Sequence, residues 1–181
     1  HHPEAVAVGP DGTRWVADTG NNRVLAFRPD GTLRLVVGEF DDDLNVASGV
    51  ARGSLQFKKP GGLAALPDGG VVVADTEQHR LIVLSSTGGV RQVFGRVTKS
   101  GQPQPGSGAA EFNHPRGVDV DAIGNLYVAD TENHRWQVLS ATGVPLLSVA
   151  FAPVPEMDDG DDEDGKEHGE VEAAKPVGIA R

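Results

Sequence analysis

The chain has no cysteine. That removes disulfides, cysteine-based zinc sites and thiol chemistry. It leaves the compartment open, with an intracellular setting favoured. No apolar run approaches the roughly 18 residues that a membrane-spanning helix needs, so no membrane segment is expected. An excess of positive charge is also missing. Sixteen Lys and Arg face 26 Asp and Glu, a net charge of −10. Nucleic-acid binders usually carry a basic patch. None stands out, so nucleic acid is not expected as a partner. The acidity is local: residues 156–172 hold ten acidic residues and one lysine, or −9, and the remainder holds 16 acidic and 15 basic, or −1.

What is present is repetition. Val-Ala-Asp-Thr occurs at residues 16–19, 73–76 and 128–131. Each copy lies in a longer unit that opens at Pro3, Pro60 or Pro115, and a further start falls at Pro176. The spacings are 57, 55 and 61 residues. A constant core covers 3–38, 60–95 and 115–150, so the variation sits in the connectors 39–59, 96–114 and 151–175. A unit repeated in tandem is a module that buries its apolar face only by stacking on its neighbours. Variable connectors are expected to run over the outside.

Within a unit the apolar residues come in short runs of period two. Ala5–Val8, Trp15–Ala17, Val24–Phe27 and Leu33–Val37 are separated by Asp11-Gly12, Asn21-Asn22 and Asp30-Gly31. Such runs, bounded by Asp-Gly or Asn pairs, predict strands and tight turns. Pro67-Asp68-Gly69, Thr87-Gly88-Gly89, Gly124-Asn125 and Thr142-Gly143 mark matching turns. Each unit therefore predicts four short antiparallel strands, the make-up of a β-propeller blade.

The motifs point to a family. A unit opening Pro-x-[Gly/Ala]-[Val/Leu], then Val-Ala-Asp-Thr, then Asn-His-Arg, resembles the NHL repeat. Asp130-Thr131-Glu132-Asn133-His134-Arg135 matches best. Asp75-Thr76-Glu77-Gln78-His79-Arg80 and Asp18-Thr19-Gly20-Asn21-Asn22-Arg23 are variants. The resemblance implies an all-β fold: three NHL-type blades plus the first strand of a fourth at Pro176-Val177-Gly178-Ile179-Ala180. Propellers hold roughly four to eight blades. The expectation is thus a part of a larger, six-bladed propeller, and the start at His1-His2-Pro3, without Met, agrees with that.

Several residues invite a chemical reading. Asp18, Asp75 and Asp130 recur five residues before Arg23, Arg80 and Arg135. A carboxylate–guanidinium contact across one turn fits that spacing. A pair present in every unit reads as a blade-building part, since a catalytic site would be unique. His79 and His134 precede two of the arginines, but Asn22 takes their place in the first unit. An amide is no substitute for a zinc-bound imidazole, so a turn hydrogen bond is expected there.

Among NHL-like propellers, the resemblance to zinc-dependent amidating lyases would place metal-binding histidines directly after the blade-opening prolines. Those positions hold Glu4, Gly61, Arg116 and Val177, while His2 and His114 lie before the proline. Three imidazoles and an open fourth position are not available. Asp159, Asp161, Glu163 and Glu170 have EF-hand-like spacing, but Asp164 stands where that loop needs Gly. An acidic, solvated and mobile connector is expected instead. Trp15, Tyr127 and Trp136 read as packing between blades.

The expected function is a non-catalytic scaffold that binds proteins or neighbouring subunits, with no cofactor or metal. Two alternatives stand beside it. One is RNA recognition. The other is an NHL module whose enzymatic domain, for instance a thioredoxin-like one, lies outside this segment.

Overall fold

The computed structural model describes residues 1–38, 51–53 and 55–152. The acidic connector with its EF-hand-like spacing, and the repeat start at Pro176 and Val177, lie outside the described residues.

Each short apolar run becomes a strand. The first blade contains β1 (Ala5–Val8), β2 (Arg14–Asp18), β3 (Arg23–Phe27) and β4 (Leu33–Gly38). A further strand from the connector, β5 (Ala51–Gly53), pairs parallel to β4. The second blade contains β6 (Pro60–Ala65), β7 (Val71–Asp75), β8 (Arg80–Leu84) and β9 (Val90–Val97). The two-residue β10 (Pro103–Gln104) folds back on β9. The third contains β11 (Pro115–Val120), β12 (Leu126–Asp130), β13 (Arg135–Leu139) and β14 (Pro145–Ala150). Within each blade the four main strands pair antiparallel in chain order. The fold is all-β, three consecutive β-propeller blades.

Four strands per unit is therefore the common core, and two connectors add a fifth. The outer strand of a blade exposes unpaired backbone groups, and a short extra strand covers part of that edge.

The turns follow from their residues. Asp11, Asp30, Asp68 and Asp121 each accept a backbone N–H two to four residues on, from Thr13, Thr32, Gly70 and Asn125 at 2.8–3.0 Å. Such side-chain caps close the first and third turns of a blade. The middle turn is a single 3-10 turn at Thr19–Asn21, Thr76–Gln78 and Thr131–Asn133. It ends at Asn22, His79 or His134, which hold φ of 50°, 53° and 49°. Asn and His tolerate this left-handed conformation better than most residues. That explains why only these two types alternate here.

The core lies between blades. Trp15, Val24 and Leu35 of the first blade pack on Val71 and Ile82 of the second. Val72 and Leu81 pack on Val128 and Leu139 of the third. The connectors are not wholly external. Phe57 and Phe112, each three residues before a blade-opening proline, are buried in these two seams. Nearest the propeller axis, a Cβ on Gly62 of β6 would lie 2.3 Å from the Arg116 carbonyl of β11. Only glycine permits the two inner strands to approach so closely.

Candidate functional site

The Asp-Arg residues of the three units form one construction, repeated. Each aspartate ends its second strand and is buried. Its Oδ2 accepts from the Nε of the arginine five residues on, at 2.5 Å for Asp18–Arg23, 2.8 Å for Asp75–Arg80 and 2.7 Å for Asp130–Arg135. Its Oδ1 accepts a hydrogen bond from the connector entering the same blade. The donor is Lys58 N–H for Asp75 and Asn113 N–H for Asp130, both at 2.7 Å. The His1 nitrogen takes that place at Asp18. The arginines reach further back. Arg80 donates to the Gln56 carbonyl at 2.8 Å, and Arg135 donates to the carbonyls of Ser107, Gly108 and Glu111 at 2.8–3.0 Å. Each pair is a clamp tying a connector to its blade. Burial pushes the Asp75 carboxyl above its usual range, against the hydrogen bonds from Lys58 and Arg80.

A second set of bonds crosses from blade to blade. Thr19 Oγ1 donates to the Pro60 carbonyl at 2.6 Å, and Thr76 Oγ1 donates to the Pro115 carbonyl at 2.8 Å. Lys59 N–H donates to Asn22 Oδ1 at 2.9 Å, and His114 N–H donates to His79 Nδ1 at 3.2 Å. Lys59 and His114 stand just before the prolines with φ of 52° and 47°. The sequence pattern assigned no role to these threonines or to Lys59, and marked His114 only as out of place for a zinc ligand. The signal for the threonine was in plain view, since Thr closes all three Val-Ala-Asp-Thr copies.

These bonds lie at the inner strands of the three blades. An open cavity of about 490 Å³ lies there, lined by His2, Glu4, Lys59, Glu77, His114 and Arg116 among others. The post-proline positions thus present Glu4 and Arg116 to the cavity, while Gly61 contributes no side chain. Charges of both signs share it. Among the described residues no group of three His, Cys, Asp or Glu is placed to hold a metal ion.

At the opposite end of the strands the blades differ. Between the first and second blades, Leu35 packs against Gly88 and Arg34 donates to the Ser86 carbonyl. Between the second and third, Gln92 and Arg91 occupy the corresponding places, and Arg91 turns back to Asp68 of its own blade. An apolar groove of about 350 Å³ opens there, lined by Leu66, Val83, Ile123 and Leu126 with Arg91 and Asp68 at its rim. Ile123 is 80% exposed.

The three large aromatics also separate. Trp15 is fully buried between blades, its Nε1 without a hydrogen-bond partner among the described residues. Tyr127 and Trp136 stack at 6.5 Å on the outward face of the third blade, with Tyr127 39% exposed.

The sequence pattern of the NHL repeat matches residues 1–27, 57–84 and 112–139, one match per blade. The chain carries three NHL repeats. It is 29% identical over 131 residues to the human NHL repeat-containing protein 3, covering 68% of this chain and 34% of that protein. It is 24% identical over 159 residues to a probable peptidyl-alpha-hydroxyglycine alpha-amidating lyase of Caenorhabditis elegans, covering 81% of this chain and 42% of that protein. This NHL-repeat chain thus spans between a third and a half of the length of those relatives. Among solved structures it resembles the virginiamycin B lyase of Staphylococcus aureus, with a TM-score of 0.57 at 13% identity over 84% of this chain and 42% of the lyase. That likeness is one of fold.

Proposed function

We propose that this NHL-repeat segment is a non-catalytic scaffold that binds other proteins. The observation that carries the reading is where the blades agree and where they part. Asp18, Arg23, Asp75, Arg80, Asp130 and Arg135 are each engaged in holding a connector, and His79 accepts a bond from the next blade. Those residues are occupied with structure. The departure from the repeat is a surface, the apolar groove beside Ile123. A concave apolar site rimmed by a few polar groups suits a protruding side chain of a partner.

One relative is a probable lyase, so catalysis is the reading to weigh against it. The cavity gathers three carboxylates (Glu4, Glu77 and Glu132), two imidazoles (His2 and His114), an ammonium (Lys59) and a guanidinium (Arg116). Such a mixed set, with Lys59 and Arg116 among the carboxylates, suits binding of a charged group; a zinc site draws three of His, Cys, Asp or Glu together, and no such group occurs among the described residues. RNA recognition is disfavoured by the near balance of 16 acidic and 15 basic residues outside the acidic connector. An enzymatic domain elsewhere in a longer protein is compatible with the scaffold reading.

The test is crosslinking of the full-length protein in native extract, with wild type and Ile123→Asp compared. Ile123 is exposed, so the substitution should shift stability by less than about 0.5 kcal/mol. Protein neighbours that vanish in Ile123→Asp, with melting unchanged, are the expected result. Salt-resistant binding of RNA, or lyase turnover by the purified protein, would replace the scaffold reading.

A further inference from the structure

The two described seams use the same hydrogen bond with different acceptors. Between the first and second blades, Lys59 N–H meets the amide oxygen of Asn22 at 2.9 Å. Between the second and third, His114 N–H meets the ring Nδ1 of His79 at 3.2 Å. An amide oxygen accepts at any ordinary pH. An imidazole nitrogen accepts only while it is unprotonated.

The surroundings of His79 make that difference matter. Its ring meets the His114 ring edge to face, centroids 4.4 Å apart at 86°. The His114 Nδ1 lies 3.0 Å from the Asn113 side-chain oxygen. That contact makes His114 Nδ1 the protonated nitrogen, because a carbonyl oxygen only accepts. His79 must hold its lone pair on Nδ1 and its proton on Nε2. The groups facing His79 are His114 from the segment leading into β11, Lys58 from the segment leading into β6, and Glu77 from its own turn. Glu77 is engaged by Lys58 at 3.2 Å. Half-buried, His79 is held below its ordinary value by desolvation, then by His114 and Lys58, against a smaller opposing pull from Glu77.

We infer that the seam between the second and third blades is an acid-sensitive joint: when His79 takes up a proton, the acceptor for His114 N–H is lost and the blades loosen beside the cavity. The protonated ring would set one N–H against another and a cation beside His114 and Lys58. The first seam, with its amide, has no such response. The folded joint holds His79 neutral, so the opened form takes up the proton first. Protection is complete above the ordinary imidazole value of 6.5. It declines as pH falls below that, until the closed form also titrates. His114 and Arg116 line the cavity at this joint, so acid would reshape it there.

Amide hydrogen exchange of the full chain, followed residue by residue, tests this. Protection of His114 N–H, corrected for intrinsic exchange, should fall about tenfold or more from about pH 8 to about pH 5. Lys59 N–H should stay within about threefold across that range. His79→Asn copies the amide of the first seam and should give His114 a flat profile. If His114 and Lys59 respond alike in the wild type, the inference is wrong. It is also wrong if His79→Asn keeps the acid response, since the titrating group is then His114 itself. Should the variant fail to fold, the two wild-type amides decide the matter.

Discussion

Asp75 shows how much one side chain carries. Its two oxygens hold Lys58 N–H and Arg80 Nε while the residue is wholly buried. Truncation would strand a buried donor and most of a guanidinium charge. Asp75→Ala should therefore lower stability by about 3 kcal/mol in urea unfolding. Glu77 pairs with Lys58 at 3.2 Å, but both side chains are well exposed. Glu77→Ala should shift stability by less than about 1 kcal/mol in the same assay. Equal losses would mean that burial does not distinguish the two carboxylates. The five-residue spacing of Asp and Arg was legible because it is local. Thr19 to Pro60 and Thr76 to Pro115 were not, since those partners lie 41 and 39 residues apart in the chain. Only blade packing brings them together.

At the scale of the element, the turns decide how one blade sits on the next. Gly31 and Gly88 occupy the corresponding third turn of their blades with φ of 85° and 82°. The backbone penalty for alanine should be nearly the same at both, about 1–2 kcal/mol. Their surroundings differ. A Cβ at Gly31 would meet nothing within 4 Å, whereas one at Gly88 would lie 2.8 Å from the Leu35 side chain of the previous blade. Gly88→Ala should thus cost about 1–2 kcal/mol more than Gly31→Ala, read as a lower denaturant midpoint. Identical midpoints would mean that the turn does not bear on the neighbouring blade. The alternation of apolar residues made the four strands of each unit readable. The fifth strands at Ala51–Gly53 and Pro103–Gln104 were hidden, because they pair with an edge and carry no pattern of their own.

At the scale of the molecule, stacking determines which aromatic residues are sheltered. Trp15 faces the second blade and is sealed; the corresponding face of the third blade presents Tyr127 and a half-buried Trp136 outward. The 181-residue chain holds only these two tryptophans. Acrylamide quenching of its fluorescence should reveal a protected emitter, and Trp15→Phe should remove it. A single uniformly quenched population would contradict the packing of the first two blades. The same stacking explains why Phe57 and Phe112 are buried although they lie in connectors.

The sequence by itself determined the four main strands of each blade, the turns, the blade count of the described residues and the Asp-Arg pairing. These depend on period-two burial, turn chemistry and contacts within a few residues. The tertiary structure alone decided what the repeat is used for between blades. It showed that Asn22 and His79 accept bonds from Lys59 and His114, that glycine at 62 lets two inner strands meet, and that an apolar groove opens between the second and third blades. Each of those depends on residues far apart in the chain meeting across a seam, and local patterning carries no record of which partners stacking will bring together.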